Sequence, residues 1–408
     1  MRKITIIGAG QSGLLMGIGL KKKGYDVTII TNRTGSEIYN GGVLSSQAMF
    51  NAALDIERDF GVNFWEDECP EIEGISLTVV APDGSRPIDW AARLTTGSAN
   101  SVDQRVKMPV WMAEFEKLGG KLVIDDVSLE SLEDIARDCD LVMVASGKGD
   151  IGKMFERDAE KSTFDKPMRA LGLTYVKNMK PRPDYSAVCF NIIPGVGEYF
   201  CFPALTTTGP CDIMVFEGIP GGEMDCWGGI ASPEEHLEMS QTILNKFLPW
   251  EAERCTEIEM TDPNGKLAGR FPPTIRKPVG RLPSGKIVLG LADSICLNDP
   301  ITGQGSNNAT KCTEIFYNSI LARGDLPFDE DWMQKTFDEF WDYAKYVVEW
   351  TNGFLLPPAD HVLQILGVAG SHPETAQRIA DAFNDPRDLF PWFMEPAAAA
   401  EYLKKIVN

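Results

Sequence analysis

Two glycine-rich segments, at residues 6–13 and 287–305, constrain this chain more than any other feature. The first reads Ile6-Ile7-Gly8-Ala9-Gly10-Gln11-Ser12-Gly13. An apolar run from Lys3 to Ile7 precedes it and predicts a buried parallel strand, while Leu14, Leu15, Ile18 and Leu20 after it supply the apolar positions of a helix. Gly24 is a natural stop for that helix, and Asp26 to Ile30 begins a second strand. In that setting Gly8 permits the tight turn, Gly10 lets the backbone approach a pyrophosphate, and Gly13 lets helix and strand pack closely. The free N–H groups of the first helical turn, around Gln11 and Ser12, then face the phosphates. Strand, glycine loop, helix and strand together mark a dinucleotide site.

The second segment runs from Ile287-Val288-Leu289-Gly290-Leu291-Ala292-Asp293 to Pro300-Ile301-Thr302-Gly303-Gln304-Gly305. The pair points to FAD, because a long flavin nucleotide needs a second set of contacts for its ribityl chain and ring. Lys286 to Leu291 reads as a returning strand, and Asp293 at the end of it is placed to accept hydrogen bonds from ribityl hydroxyls. Pro300, Gly303, Gln304 and Gly305 open the next predicted helix, Gly305 to Ala322, with N–H groups toward the pyrophosphate and pyrimidine edge. A positive helix end there favours extra electron density on a reduced flavin.

One expected part is missing. A carboxylate usually ends the second strand of such a unit and holds the adenosine ribose, whereas here the chain reads Thr31-Asn32-Arg33. Asn32 can bond a hydroxyl and Arg33 can meet a phosphate. Three readings stay open: NADP with Arg33 on its 2′-phosphate, FAD held without the ribose clamp, or a solvated charge at a strand end.

The 408 residues suffice for two or three domains with real cores. A formal net charge of −20 argues against nucleic acid or an anionic membrane as partner. With a strand starting at residue 3 there is no room for a signal peptide, and no apolar run is long enough to span a bilayer, so a cytoplasmic protein is expected. Nine scattered cysteines without a C-x-x-C pair read as small core residues in a reducing compartment. His236, His361 and His372 have no ligand spacing, and no metal is expected.

The order of predicted elements suggests interleaved domains. Ser46 to Phe60 reads as an amphipathic helix through Ala48, Met49, Ala52, Ile56 and Phe60. Ile75 to Val79 alternates before the turn Pro82-Asp83-Gly84, a hairpin signal. Asp103 to Leu118 reads as a helix, Lys121 to Ile124 and Leu141 to Ala145 as strands. Four strands follow at Ala170 to Val176, Ala187 to Ile192, Glu198 to Phe202 and Asp212 to Phe216, then a helix at Ser232 to Phe247. The expected fold is α/β: a Rossmann-like FAD-binding domain at 1–70, 98–165 and 282–328, interleaved with a β-sheet substrate domain at 71–97 and 166–281, plus a helical C-terminal region at 329–408.

The chain resembles the FAD-dependent monooxygenases of the p-hydroxybenzoate hydroxylase fold, and more narrowly the oxygenase component of the two-component styrene and indole monooxygenases. Asp103-Gln104-Arg105, Ser146-Gly147-Lys148, Phe164 to Pro167, Asp299 to Gly305, Trp350-Thr351-Asn352 and Leu363 to Leu366 carry the resemblance over essentially the whole chain. It implies that a separate NADH-dependent reductase supplies FADH₂, and that FADH₂ and O₂ form a C4a-hydroperoxide that epoxidises an alkene. It adds Arg105 to the cofactor-binding candidates, and a homodimer is carried as an expectation. The Asp-Gly pair that single-component hydroxylases carry after the third strand is replaced by Ala145-Ser146-Gly147. That loss and the lost ribose carboxylate both suit a protein that borrows reduced flavin. Such chemistry needs no nucleophile or general base from the protein, only a dry apolar pocket.

The resemblance places the pocket at Gly42 to Gln47 and Glu73-Gly74-Ile75, with Leu44, Ser46, Gln47, Ile75 and Pro300 as candidates. Styrene-type members tend toward Leu-Leu-Asn and Gly-His at these places. Leu44-Ser45-Ser46 and Gly74-Ile75 look more like indole-type members, which implies epoxidation of the indole C2=C3 bond with styrene also accepted. In structural terms Ser46 can equally be a helix cap and Ile75 a core residue. A styrene-preferring epoxidase, a single-component NADPH hydroxylase using Arg33 and a non-catalytic binding scaffold remain alternatives. A halogenase lacks its G-W-x-W-x-I-P segment here.

Overall fold

The computed structural model describes residues 2–146, 149–230 and 232–407. Lys3–Ile7 lies inside a six-stranded sheet ordered Val279–Arg281, Ile287–Gly290, Leu141–Val144, Lys3–Ile7, Asp26–Thr31, Lys121–Ile124. All pairings are parallel except that of Val279–Arg281 with Ile287–Gly290. Ile4, Ile6, Ile29, Met143 and Leu289 are fully buried, because helices cover both faces of a parallel sheet and leave no side of these strands for polar residues.

The glycine spacing has a direct steric cause. The helix Gln11–Lys22 starts so close to the first strand that a Cβ at position 13 would lie 2.1 Å from the Gly8 carbonyl oxygen. Gly8 itself has φ of +110°, outside the range that side chains tolerate. The helix ends before Gly24, as its sequence predicts.

The second sheet is ordered Glu259–Met260, Ala170–Lys177, Gly209–Gly218, Gly197–Thr206, Ala187–Ile193, Gly74–Val79, Ile88–Arg93, with Lys266–Gly269 also paired to Ala170–Lys177. It is antiparallel except where Gly74–Val79 runs alongside Ala187–Ile193. Its period-two pattern sorts two cores. Leu173, Val188, Phe190, Phe200, Phe202, Ile213 and Val215 face the C-terminal helices. Val176, Tyr199, Cys201, Met214 and Phe216 face the helix Pro233–Phe247. The helix Glu330–Phe354 joins the molecule together: Phe337 and Phe340 enter the core of the first sheet, and Trp350 enters that of the second.

Three expectations change. The segment 46–50 is extended, and the helix runs only from Asn51 to Asp59 with Phe50 as its cap residue, so Ser46 caps nothing. Distant parts of the chain hold the strap straight: Met49 exchanges two backbone hydrogen bonds with Asn100 (2.8 and 3.0 Å), Phe50 N donates to Asn307 Oδ1 (2.9 Å), and Gln47 Nε2 donates to Val102 O. The helix-like spacing of Ala48 and Met49 reflects burial in a loop. Next, Val279–Arg281 joins the first sheet ahead of the strand expected at Lys286. Finally, Asp293 sits in a 3₁₀ turn, Ala292–Ser294, and not at the strand end itself. Gly147 and Lys148 lie outside the described residues.

Candidate active site

A cavity of about 270 Å³ opens where the two sheets meet. Gly10, Gln11, Ser12, Asp293, Pro300, Gly303 and Gly305 line one end of it, with Ser46 and Gln47 on the strap beside them. Val188, Phe190, Phe200, Phe202, Val215 and Phe271 line the other. Folding thus brings together two motifs that are far apart in the chain.

The first end is built from helix starts. Gly10 caps Gln11–Lys22 and Gln304 caps Gly305–Arg323; neither makes a side-chain cap bond, and neither helix has an acidic residue in its first turn. Their leading N–H groups are therefore left for another acceptor. A Cβ at Gly10 would meet nothing within 4 Å, so the backbone there borders open space. Gln11 donates to Thr310 Oγ1 (2.8 Å), which leaves its buried Oε1 with no protein donor. Open space and unsatisfied N–H groups are what a nucleotide with a pyrophosphate would fill, and the residues present fit FAD.

Asp293 is exposed and lines the cavity, and the protein packed around its carboxyl lifts it to about 6. Its neighbour Ala292 has φ of +53°, a conformation costing about 1 kcal/mol or more for a residue with a side chain. Ser294 holds it there: its Oγ donates to Val144 O (2.7 Å) and accepts from Leu291 N (2.8 Å). Nothing in the sequence pattern singled out Ser294.

Other candidates fall outside the cavity. Arg105 is buried and committed, bonding Asp103 (2.9 Å), both oxygens of Asp262 (2.9 and 3.0 Å) and Thr206 (3.1 Å), which together hold its guanidinium charged against the cost of burial. It does not line the cavity and acts there as a brace between loops. Asn32 and Arg33 are exposed at the strand end, away from the lining. Gln304 turns the other way and donates to Phe383 O (3.0 Å). Leu44 packs against the first core and Ile75 is wholly buried in the second sheet, so neither reaches the cavity. Gly8 and Gly13 shape the loop from behind.

Sequence reasoning missed the aromatic end. Phe200 and Phe202 alternate along one strand and Phe190 stands on its neighbour, so the period-two pattern held the signal once the face was known. It also missed Gln104, whose Nε2 donates to Ser45 Oγ (2.8 Å) at the cavity wall.

An α/β nucleotide fold whose glycine loops open under a second, aromatic-faced sheet is the flavoprotein arrangement of p-hydroxybenzoate hydroxylase type. Residues 147–254 match the family described as "Styrene monooxygenase A putative substrate binding domain". Over 98% of its length the chain is 31% identical to styrene monooxygenase StyA of Pseudomonas fluorescens, covering 97% of that protein, and 32% identical to StyA of a Pseudomonas species over the same shares. The chain belongs to the styrene monooxygenase family. Solved structures share the fold at lower identity: flavin-dependent brominase Bmp2 (TM-score 0.68, 12% identical, 99% of this chain and 98% of that one) and a flavoprotein/dehydrogenase from Cytophaga hutchinsonii (TM-score 0.68, 13%, 99% and 100%). Among the described residues no helix is long and apolar enough to cross a membrane.

Proposed function

We propose that this chain is the oxygenase of a two-component flavin monooxygenase, taking FADH₂ from a separate NADH-dependent reductase and using O₂ to epoxidise indole at C2=C3 and styrene-like alkenes. One observation carries the reading. Among the described cavity-lining residues Asp293 is the only titratable side chain, and the opposite end is almost entirely aromatic and aliphatic. A site without an acid, base, thiol or cation at the substrate end leaves the reactive oxygen to the cofactor. Reduced FAD and O₂ supply that oxygen when bound.

The chain's own residues do the rest. Gly10, the helix starts at Gln11 and Gly305, and Gly303 would hold the pyrophosphate and pyrimidine edge, with Asp293 on the ribityl hydroxyls. Phe190, Phe200 and Phe202 exclude water from the reacting end, which protects a water-sensitive oxidant. Gln47 supports the indole preference. It lines the cavity; its Nε2 is fixed on Val102 O, and its buried Oε1 has no donor in the protein. The indole N–H fits that acceptor, and styrene has no matching donor.

The test is product formation with photochemically reduced FAD, O₂ and alkene, with no NAD(P)H present. Epoxide or indigo formed without a reductase supports the reading. An absolute requirement for NADPH would replace it with the single-component alternative.

A further inference from the structure

Beneath the turn that carries Pro300 and Gly303 lies a cluster of carboxyls with too few cations. Glu217 and Glu198 are directly opposite each other on neighbouring strands of the second sheet, on the face toward the cavity. Glu217 is wholly buried, and neither of its carboxyl oxygens has a donor. The nearest cation, Arg169, is committed elsewhere. Its Nε and Nη2 grip Glu198 (2.6 and 2.9 Å), Nη2 also reaches Phe354 O (3.4 Å), and Nη1 donates to Met168 O (2.9 Å) and Leu355 O (3.2 Å). All the guanidinium hydrogens are thereby used. What remains within hydrogen-bond reach of Glu217 is the carboxyl of Asp299. Asp299 is itself buried, and its Oδ1 accepts from Ile301 N (3.2 Å) to cap the turn Pro300–Thr302.

Two carboxyls in contact need a proton between them. We propose that Glu217 is a neutral carboxylic acid that donates its proton to Asp299, and that this bond positions the Asp299–Gly303 turn against the nucleotide. The Ile301 N–H favours negative charge on Asp299, and the opposing Glu198 carboxylate disfavours it on Glu217, so the proton belongs on Glu217. Burial first, then Asp299 and Glu198, push the Glu217 carboxyl well up, with only Arg169 opposing. Those three are the charged groups that act on it. The role makes Glu217 a positioning residue, and its flavin half rests on the function proposed above.

Difference infrared spectra of wild-type and Glu217→Gln protein at pH 8 test the proton itself. The expected result is a protonated-carboxyl band in the wild type that the Gln variant lacks; no such difference would overturn the proposal. The turn is tested by reduced-FAD titration. Glu217→Gln keeps a donor toward Asp299 and should bind within about twofold of wild type, whereas Glu217→Leu leaves Asp299 without one and should bind at least tenfold more weakly. Equal affinity in the Leu variant would overturn the positioning role. Should the Leu variant not fold, melting temperature against pH decides the matter, since the wild type should lose stability relative to Glu217→Gln as pH rises, and parallel profiles would overturn the shared proton. A wild type that shows the band yet binds no reduced FAD would sink the flavin reading and leave the proton standing.

Discussion

The Gly8 carbonyl oxygen occupies the place where a side chain on Gly13 would begin, at 2.1 Å from the Cβ position, whereas Gly10 in the same loop faces open space. Two glycines of one motif are thus required for different reasons. Gly13→Ala forces backbone against backbone and should destabilise the protein by at least about 1–3 kcal/mol, the usual scale for overpacking. Gly10→Val should leave the melting temperature of the flavin-free protein nearly unchanged and abolish reduced-FAD binding. Thermal melts and flavin titrations on the two variants check this, and a Gly10→Val protein that binds flavin normally would misplace the cofactor.

A second pair, outside the cavity lining, sets up a stability test. Lys107 Nζ lies 2.6 and 2.8 Å from the two carboxyl oxygens of Glu57, with both side chains almost wholly buried. Burial raises the Glu57 carboxyl, and Lys107 counters it. Lys107→Met strands a buried carboxylate and should cost about 3–5 kcal/mol at pH 7. The loss should shrink at low pH, where Glu57 is protonated, and the double variant Glu57→Gln/Lys107→Met should recover most of it. Denaturant unfolding at two pH values measures both effects.

The sequence revealed most about contiguous elements and least about what meets across them. The parallel strands were legible because each is a short, mostly apolar run, and the helices Gln104–Lys117, Pro233–Phe247 and Gly305–Arg323 because caps and glycines bound them. Gly10 and Asp293 were legible as cavity-lining positions because each belongs to a glycine-marked segment, Gly10 between strand and helix and Asp293 just after the returning strand. The strap 46–50 was not, because its apolar positions are buried by partners such as Asn100 and Asn307 that no local pattern names. Arg105 and Gln304 looked like ligand residues for the opposite reason: a polar side chain inside a motif does not disclose that Asp262 or Phe383 O already takes it. Glu217 and Glu198 become a pair only through strand register.

Asp293 should give flavin binding a pH dependence. Its carboxyl in the folded protein titrates at about 6, above the ordinary 3.8, because burial disfavours the charge. Its contribution to the stability of the flavin-free protein is therefore fully present below about 3.8 and is lost as pH rises through about 6. Binding runs the other way: ribityl hydroxyls donate best to the carboxylate, so reduced-FAD affinity should rise from pH 5 to pH 8. Asp293→Asn should flatten both profiles and weaken binding at pH 8. Titrations at the two pH values check it, and a wild-type affinity that is flat or falls with pH would count against the ribityl contact.

The proposed substrate preference rests on Gln47. Gln47 lines the cavity, and its buried Oε1 has no donor in the protein, with the orientation of its amide set by the bond from Nε2 to Val102 O. An indole N–H directed at that oxygen gains a neutral hydrogen bond worth on the order of 1 kcal/mol, a several-fold preference over styrene. Because kcat/KM compares transition-state binding, side-by-side values with saturating FADH₂ should favour indole in the wild type. Gln47→Leu removes the acceptor and should lower kcat/KM for indole several-fold while changing that for styrene little, so that the ratio approaches one or reverses. The Val102 bond is lost as well, so melting temperature must be followed to separate a moved strap from a lost acceptor. A wild type that clearly prefers styrene, or a Leu variant that slows both substrates alike, would remove the indole assignment and leave the monooxygenase reading intact.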